Sequence, residues 1–186
     1  AGIKQEKDYA LRLACELRDQ LKRAGFKVYL TRSTDKFIEL PDRPAIARRR
    51  GGDLFVSLHF NATENGRSEA KGAEVYAFTP AGAPSTNARG EGGGGPAAGN
   101  RFDAKNILLA HEIQKSLVHG LGVEDRGVRR ARWAVLRDAV MPAVLIEAGF
   151  MSHPIEGKKI FDSGYRRQMA KAIADGIASY KRIVER

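Results

Sequence analysis

The feature that most constrains the fold is a nearly continuous apolar run at residues 53–60, Asp-Leu-Phe-Val-Ser-Leu-His-Phe. A strand with one wet face alternates apolar and polar residues, whereas a strand covered on both faces does not. Uninterrupted runs are therefore typical of parallel or mixed sheets that carry helices on both sides. The segment 143–147 has the same character. The sequence predicts an α/β fold built around a buried sheet.

Helical and strand patterns alternate around these two runs. Four segments have the repeat and end signals of amphipathic helices: 6–24, 41–50, 104–121 and a last helix capped by Asp162 or Ser163. Three further segments are rich in strand-forming residues and are expected to be strands: 26–31, 73–78 and 133–136. The basic segment around Arg126 and Gly127 is expected to form a turn between elements.

Length and composition fit one domain. The chain has 186 residues, of which 42% are hydrophobic, and this is enough to bury a core, so residues 1–186 are expected to form a single domain. Residues 79–103 are dominated by Gly, Ala, Pro and Ser and are predicted to be a flexible Gly-rich insertion. The single cysteine, Cys15, excludes an internal disulfide and is expected to be a small core residue.

The charge balance favours an anionic partner. Lys and Arg number 32 against 22 Asp and Glu, a net charge of +10, which suits nucleic acid, an acidic membrane surface or an acidic polymer outside the cell. Charge alone does not choose among these. No stretch approaches the ~18 apolar residues of a membrane span, and the first residues lack a signal-peptide pattern. We therefore expect a soluble chain without a transmembrane segment, from which any export signal has been removed.

Two apolar strands end in groups that can carry chemistry. His59 and Asn61 follow the first run, and Glu147 follows the second. In open α/β sheets, ligands bind at the carboxyl edge of the strands. A carboxylate at the end of a buried strand must be paired, metal-bound or protonated. The structural alternatives are a core histidine for His59 and a salt bridge to one of the many arginines for Glu147.

Other polar residues have simple explanations at this stage. Glu6 opens a predicted helix, where the helix dipole favours a carboxylate in any protein. Basic clusters at 48–50 and 126–130 are typical of helix ends and solvated surfaces, so we do not expect nucleic-acid binding. His111 and His119 are interpreted as structural or surface residues.

Five segments in a fixed order resemble a known family: 5–8, 30–32, 53–62, 126–128 and 142–152. The most specific part is the combination of Ser-Leu-His-Phe-Asn-Ala at one strand end with Pro-Ala-Val-Leu-Ile-Glu-Ala-Gly-Phe at the other. The chain resembles the catalytic domain of the zinc-dependent N-acetylmuramoyl-L-alanine amidases of the AmiA/AmiB/AmiC type.

The resemblance implies a three-layer αβα sandwich with a mostly parallel twisted sheet. It implies hydrolysis of the amide between N-acetylmuramic acid and L-alanine in peptidoglycan, in the periplasm or cell wall, with a protein activator as a further partner. Carried over by motif, Glu6 and His59 are zinc ligands and Glu147 is the catalytic acid/base. Three protein ligands are usual for catalytic zinc.

The sequence departs from the family pattern at its beginning. The family's first strand ends in a Gly-His-Gly-Gly-like motif whose histidine is the third zinc ligand, and the printed sequence starts after that point. His153 is a second candidate for the third ligand, and Asn61 is expected to hydrogen-bond a zinc ligand or the substrate. The missing ligand keeps an alternative open, namely a non-catalytic peptidoglycan-binding module. The Gly-rich insertion is interpreted as a mobile flap, because glycine disfavours a covering helix.

Overall fold

Four strands form a single open sheet. The computed structural model describes residues 5–63, 69–86 and 93–186. The strands are β1 (Phe55–Asn61), β2 (Ala73–Phe78), β3 (Asp125–Ala131) and β4 (Ala143–Phe150), in the order β1-β4-β2-β3. The outer pairs β1–β4 and β2–β3 are parallel, and the central pair β2–β4 is antiparallel. The mostly parallel sheet implied by the resemblance is confirmed.

Helices cover both faces of this sheet. They are α1 (Glu6–Arg23), α2 (Asp42–Arg49), α3 (Asp103–Leu121), α4 (Ala134–Arg137), α5 (Glu156–Phe161) and α6 (Ser163–Val184). The helices α1, α3 and α6 pack on one face around a large core, and α2 and α4 lie over a smaller core on the other. The result is the expected αβα sandwich.

The two cores explain the apolar run on β4. Val144 and Ile146 point into the core beneath α1, α3 and α6. Leu145, between them, points to the opposite core with Tyr76 and Leu136. Because both faces of the strand are buried, neither set of alternate side chains is polar until Glu147.

Two strand predictions were wrong. Residues 26–31 form no strand, because no described segment hydrogen-bonds alongside them. Residues 133–136 are mostly helical: the Trp133 carbonyl accepts hydrogen bonds from the amides of Leu136 and Arg137, and the turn of α4 buries Val135 and Leu136. Over four residues, an apolar pattern does not distinguish a strand from one helical turn.

One strand of the sheet was not predicted from the sequence. It is the basic segment around Arg126 and Gly127, which was expected to be a turn. It forms β3, where the register irregularity opposite Ala73 and Val75 accommodates Gly127. As an edge strand, β3 leaves its charged side chains partly accessible, so it lacks the apolar signature of the central strands.

The segment predicted to be a flexible insertion is partly described. The Thr86 amide donates to the Arg130 carbonyl at 2.9 Å, and the Arg132 guanidinium donates to the Pro80 and Ala83 carbonyls. Residues 87–92 lie outside the described residues, and the flexibility of this insertion stays a prediction.

Three smaller observations complete the fold. The half-buried Cys15 lies on α1 with a free thiol. Asp162 caps α6 by accepting a hydrogen bond from the Tyr165 amide, as predicted. None of the described helices has the length and apolarity that a membrane crossing requires.

The contact between α3 and α6 depends on Gly176. A Cβ atom at this position would lie 2.6 Å from the Ile113 Cα and 2.8 Å from the Glu112 carbonyl oxygen. Both are backbone atoms, so no side chain can turn aside to make room. A glycine in the middle of a helix is therefore required here despite its low helix propensity.

Replacing Gly176 with alanine is expected to lower the free energy of unfolding by about 1–3 kcal/mol, because the two helices must separate. In an exposed helix, the same change would raise stability by about 1 kcal/mol. Urea unfolding measures the difference. The neighbouring Asp175→Ala, which removes only an exposed ion pair with Lys171, serves as the control and should change stability by less than about 0.5 kcal/mol. A Gly176→Ala protein as stable as the original would contradict the close contact.

Candidate active site

One transverse row of the sheet is polar across three strands. His59 on β1 lies opposite Glu147 on β4, and Glu147 lies opposite Glu74 on β2. Neighbours in register on adjacent strands point to the same face, so the three side chains lie side by side on the face that α2 and α4 cover. The row lies toward the carboxyl ends of β1 and β4, the edge at which the sequence predicts a site.

Glu6 reaches this row from the start of α1. Its Oε1 atom lies 2.8 Å from His59 Nδ1 and accepts a hydrogen bond from the Phe60 amide at 3.2 Å. Burial raises the pKa of Glu6, but the hydrogen bond and charge of His59, the Phe60 amide and the charge of Arg43 outweigh it, and the pKa lies below its ordinary value. A carboxylate and an imidazole thus face each other across a distance that one cation can bridge.

Glu147 has a different environment from Glu6. Its Oε2 atom is buried, and no described residue hydrogen-bonds it. Burial raises the pKa of Glu147 to about 7, the charges of Glu6 and Glu74 add to the increase, and the charge of His59 opposes it. Among the described residues no arginine pairs with Glu147, because Arg126 and Arg129 at this edge pair with Glu74.

Sequence reasoning missed Glu74, which is 2% exposed. Its Oε1 accepts hydrogen bonds from Asn61 Nδ2 at 3.2 Å and from the Tyr76 hydroxyl at 2.9 Å. Its Oε2 lies 3.0 Å from Arg126 Nε and 2.8 Å from Arg129 Nε. The available signal was one acidic residue inside the otherwise apolar strand Ala-Glu-Val-Tyr-Ala-Phe.

Asn61 and His153 make their hydrogen bonds away from Glu6 and His59. Asn61 donates to Glu74, and its contact with a substrate stays a prediction. His153 is buried, and its Nδ1 accepts hydrogen bonds from the Ile155 and Glu156 amides at the start of α5. Because its contacts are with α5, His153 caps a helix and does not join the pair of Glu6 and His59.

The remaining histidines lie away from the row. His111 and His119 are exposed on α3, as predicted for surface residues.

The residues of this edge fit a zinc ion in part. Carboxylate oxygen and imidazole nitrogen are ligands that zinc prefers, and Glu6 and His59 offer one of each with their side chains 43% and 29% exposed. Within residues 5–63, 69–86 and 93–186, no group of three or more His, Cys, Asp or Glu residues is arranged to hold a metal. The described residues therefore provide two of the three protein ligands that catalytic zinc usually has.

A large groove opens beside these two donors. It has a volume of about 980 Å³ and runs between α1, the extended residues 26–32 and β1. No described strand pairs with β1 on this side, so the edge of the sheet forms one wall of the groove.

Comparisons with known proteins agree with the fold and the motifs. A family model described as N-acetylmuramoyl-L-alanine amidase matches residues 1–179. The chain is 34% identical over 202 aligned positions to N-acetylmuramoyl-L-alanine amidase AmiC of Neisseria meningitidis serogroup B, covering 96% of this chain and 48% of that protein. The chain thus spans about half the length of this relative.

Solved structures share the architecture. An N-acetylmuramoyl-L-alanine amidase from Clostridium difficile 630 is 32% identical with a TM-score of 0.80, covering 96% of this chain and 85% of that one. The CwlD amidase from Clostridioides difficile, solved in complex with the GerS lipoprotein, is 27% identical with a TM-score of 0.77, covering 97% of this chain and 88% of that one. The chain described here belongs to the N-acetylmuramoyl-L-alanine amidase family.

The raised pKa of Glu147 predicts how stability depends on pH. In the unfolded chain this carboxyl ionises near 4.5, and in the folded protein near 7. Between these values the folded state holds a proton that the unfolded state has lost, so stability falls as the pH rises and the loss is complete above about pH 7. This difference in pKa corresponds to about 3 kcal/mol in the free energy of unfolding.

Glu147→Gln removes this titration. In chelator-treated protein, we expect the free energy of unfolding of the original chain to fall by about 3 kcal/mol, relative to that of the variant, when the pH is raised from 4 to 8. Urea unfolding at both pH values measures the gain. The exposed Glu124→Gln is the control and should follow the original chain. Equal differences at the two pH values would contradict the raised pKa.

Proposed function

We propose that this chain hydrolyses the amide bond between N-acetylmuramic acid and L-alanine in peptidoglycan. The observation that carries the proposal is the row described above: Glu147, which has a buried oxygen that no described residue hydrogen-bonds, next to a histidine and carboxylate pair that is open to solvent. Membership of the amidase family supports the same reaction. A proton-transferring group beside a metal site is the arrangement that metal-assisted amide hydrolysis requires.

We propose that Glu6 and His59 hold zinc through the carboxylate oxygen and the imidazole Nδ1, the two atoms that already face each other. Bound zinc supplies a Lewis acid for the scissile carbonyl and for the attacking water. The resemblance assigns the third ligand to a histidine at the end of a strand that precedes α1 in the family. The open groove beside β1 supports this assignment, because it offers such a strand an unpaired sheet edge.

Glu147 performs the proton transfers in this proposal. As a carboxylate it accepts a proton from the attacking water, and as a carboxylic acid it returns that proton to the nitrogen of the departing L-alanine. A group that must both accept and donate works best when its pKa lies near the pH of the reaction. In the metal-free protein, burial raises the pKa of Glu147 to about 7, which supports this role.

The first test replaces Glu147 with glutamine, which preserves shape but cannot transfer the proton. With zinc supplied, we expect hydrolysis to fall by at least about a hundredfold, because general acid–base catalysis contributes about that much or more. Mass spectrometry of digested peptidoglycan detects the product, intact stem peptides with a free L-alanine amine. Metal analysis should find the zinc content unchanged.

Glu124→Gln is the matched control, since it removes an exposed carboxylate that does not belong to the row. It should release stem peptides at the original rate. Full turnover by Glu147→Gln would overturn the role of Glu147.

The second test concerns the metal. Glu6→Ala and His59→Ala are each expected to reduce the zinc content after dialysis, whereas the exposed His111→Ala is expected to retain it. Zinc content is measured by mass spectrometry with plasma ionisation, and folding by thermal unfolding. Zinc retained by both ligand variants would exclude this pair as the site.

A second candidate function is peptidoglycan binding without hydrolysis. The observation in its favour is that the described residues supply two zinc donors rather than three. Cosedimentation with cell-wall particles without release of stem peptides would support it. Restoring activity by adding the family's histidine-bearing strand to the chain would instead favour the amidase.

We further propose that the protein works outside the cytoplasmic membrane, in the periplasm or cell wall, because its substrate lies there. A protein activator is the other partner that we propose. The CwlD amidase, which shares this fold, has been solved with the GerS lipoprotein, so a surface of this architecture can bind a second protein.

A further inference from the structure

Arg126, at the start of β3, is held in a fixed orientation beside the catalytic row. Its Nε donates to Glu74 Oε2 at 3.0 Å, and its guanidinium carbon lies 4.9 Å from the centre of the Phe150 ring. The side chain is 26% exposed. In the described part of the chain, nothing hydrogen-bonds the two terminal nitrogens of Arg126. A guanidinium that is stacked on a ring and hydrogen-bonded through Nε is held in place, and its two terminal nitrogens can donate a pair of parallel hydrogen bonds to a carboxylate.

The carboxylate of Glu74 is already engaged by four neighbours. It lies between two guanidinium groups, those of Arg126 and Arg129. Asn61, Tyr76 and Arg126 hydrogen-bond it, and Arg129 forms an ion pair with it. Glu74 holds the Nε edge of Arg126 and leaves the two terminal nitrogens of that guanidinium for another acceptor.

The position of Arg126 suits the peptide side of the substrate. Glu74, to which Arg126 is bonded, lies opposite Glu147 in the strand register. Adjacent strands lie about 4.8 Å apart, so the guanidinium lies roughly two strand spacings from the carboxylate that protonates the leaving nitrogen. In an extended stem peptide, the residue after L-alanine is linked through its side chain and has a free α-carboxylate at about this reach from the nitrogen.

We propose that Arg126 binds a free carboxylate of the released peptide and thereby makes the site selective for acidic stem peptides over amidated ones. The identity of this ligand rests on the proposed amidase function. Arg129 is less exposed, and its Nε contacts Glu74 and donates to the Arg126 carbonyl. It therefore holds Glu74 and Arg126 in place and does not itself bind the peptide.

The test measures binding rather than turnover. The full chain with zinc supplied is titrated with two dipeptides that differ by one group: L-alanyl-γ-D-glutamic acid and L-alanyl-D-isoglutamine, in which the α-carboxylate is an amide. Dissociation constants are obtained by nuclear magnetic resonance. We expect the acid to bind at least about tenfold more tightly, as a hydrogen bond between charged groups predicts.

Two arginine variants separate recognition from neutralisation of Glu74. Arg126→Gln is expected to bind the two dipeptides equally, whereas Arg129→Gln, which also removes a guanidinium from Glu74, is expected to keep the preference for the acid. Thermal unfolding checks that both variants are folded. If Arg126→Gln unfolds, Arg126→Lys replaces it and should lose most of the preference, because lysine cannot donate such a pair of parallel hydrogen bonds.

The remaining outcomes overturn the proposal. For the original chain, they are equal binding of the two dipeptides and no measurable binding of the acid. For the variants, they are a preference for the acid that persists in Arg126→Gln and a preference that is lost equally in Arg126→Gln and Arg129→Gln. Hydrolysis is measured in parallel on peptidoglycan. A chain that prefers the acid but releases no stem peptides would refute the proposed reaction and leave this binding site standing.

Discussion

The parallel pairing of β1 with β4 is the constraint on which the site depends. It places His59 opposite Glu147, on strands that are far apart in the sequence. Side chains alternate between the two faces of a strand, so a slip of one residue would move Glu147 into the larger core and place Ile146 on the face that carries the row. Burial of both faces of β4 makes that slip costly. The packing of the two cores therefore fixes the geometry of the row.

Two carboxylates lie next to each other in this row and have opposite environments. Glu74 accepts three hydrogen bonds and pairs with a second arginine, whereas Glu147 has a buried oxygen that no described residue hydrogen-bonds. The first is therefore a fixed anion that orients the arginines. The second is stabilised in its protonated form by burial, which raises its pKa to about 7. Neighbouring groups of the same type thus have separate roles because their hydrogen bonds differ.

Glu6 shows how a helix start becomes part of such a site. The helix dipole favours a carboxylate there, but it does not determine what that carboxylate contacts. Packing of α1 against α6 and β1 carries the first turn to the sheet edge, where Glu6 meets His59 and the Phe60 amide. The same packing leaves the groove beside β1 open. The position of Glu6 beside His59 and the open groove are therefore consequences of one helix orientation.

The sequence by itself determined the layers of the fold and two of the residues in the row. Continuous apolar strands and polar groups at their ends are local signals, and they were sufficient for β1, β4, His59 and Glu147, whereas Glu6 was expected at the site only from the family resemblance. Only the tertiary structure decided the strand character of the basic segment at β3, the helical turn at α4 and the cluster around Glu74. The reason is that an edge strand has no apolar pattern and four residues are too short for a period. The role of Arg126, likewise, depends on contacts between residues that lie 52 positions apart.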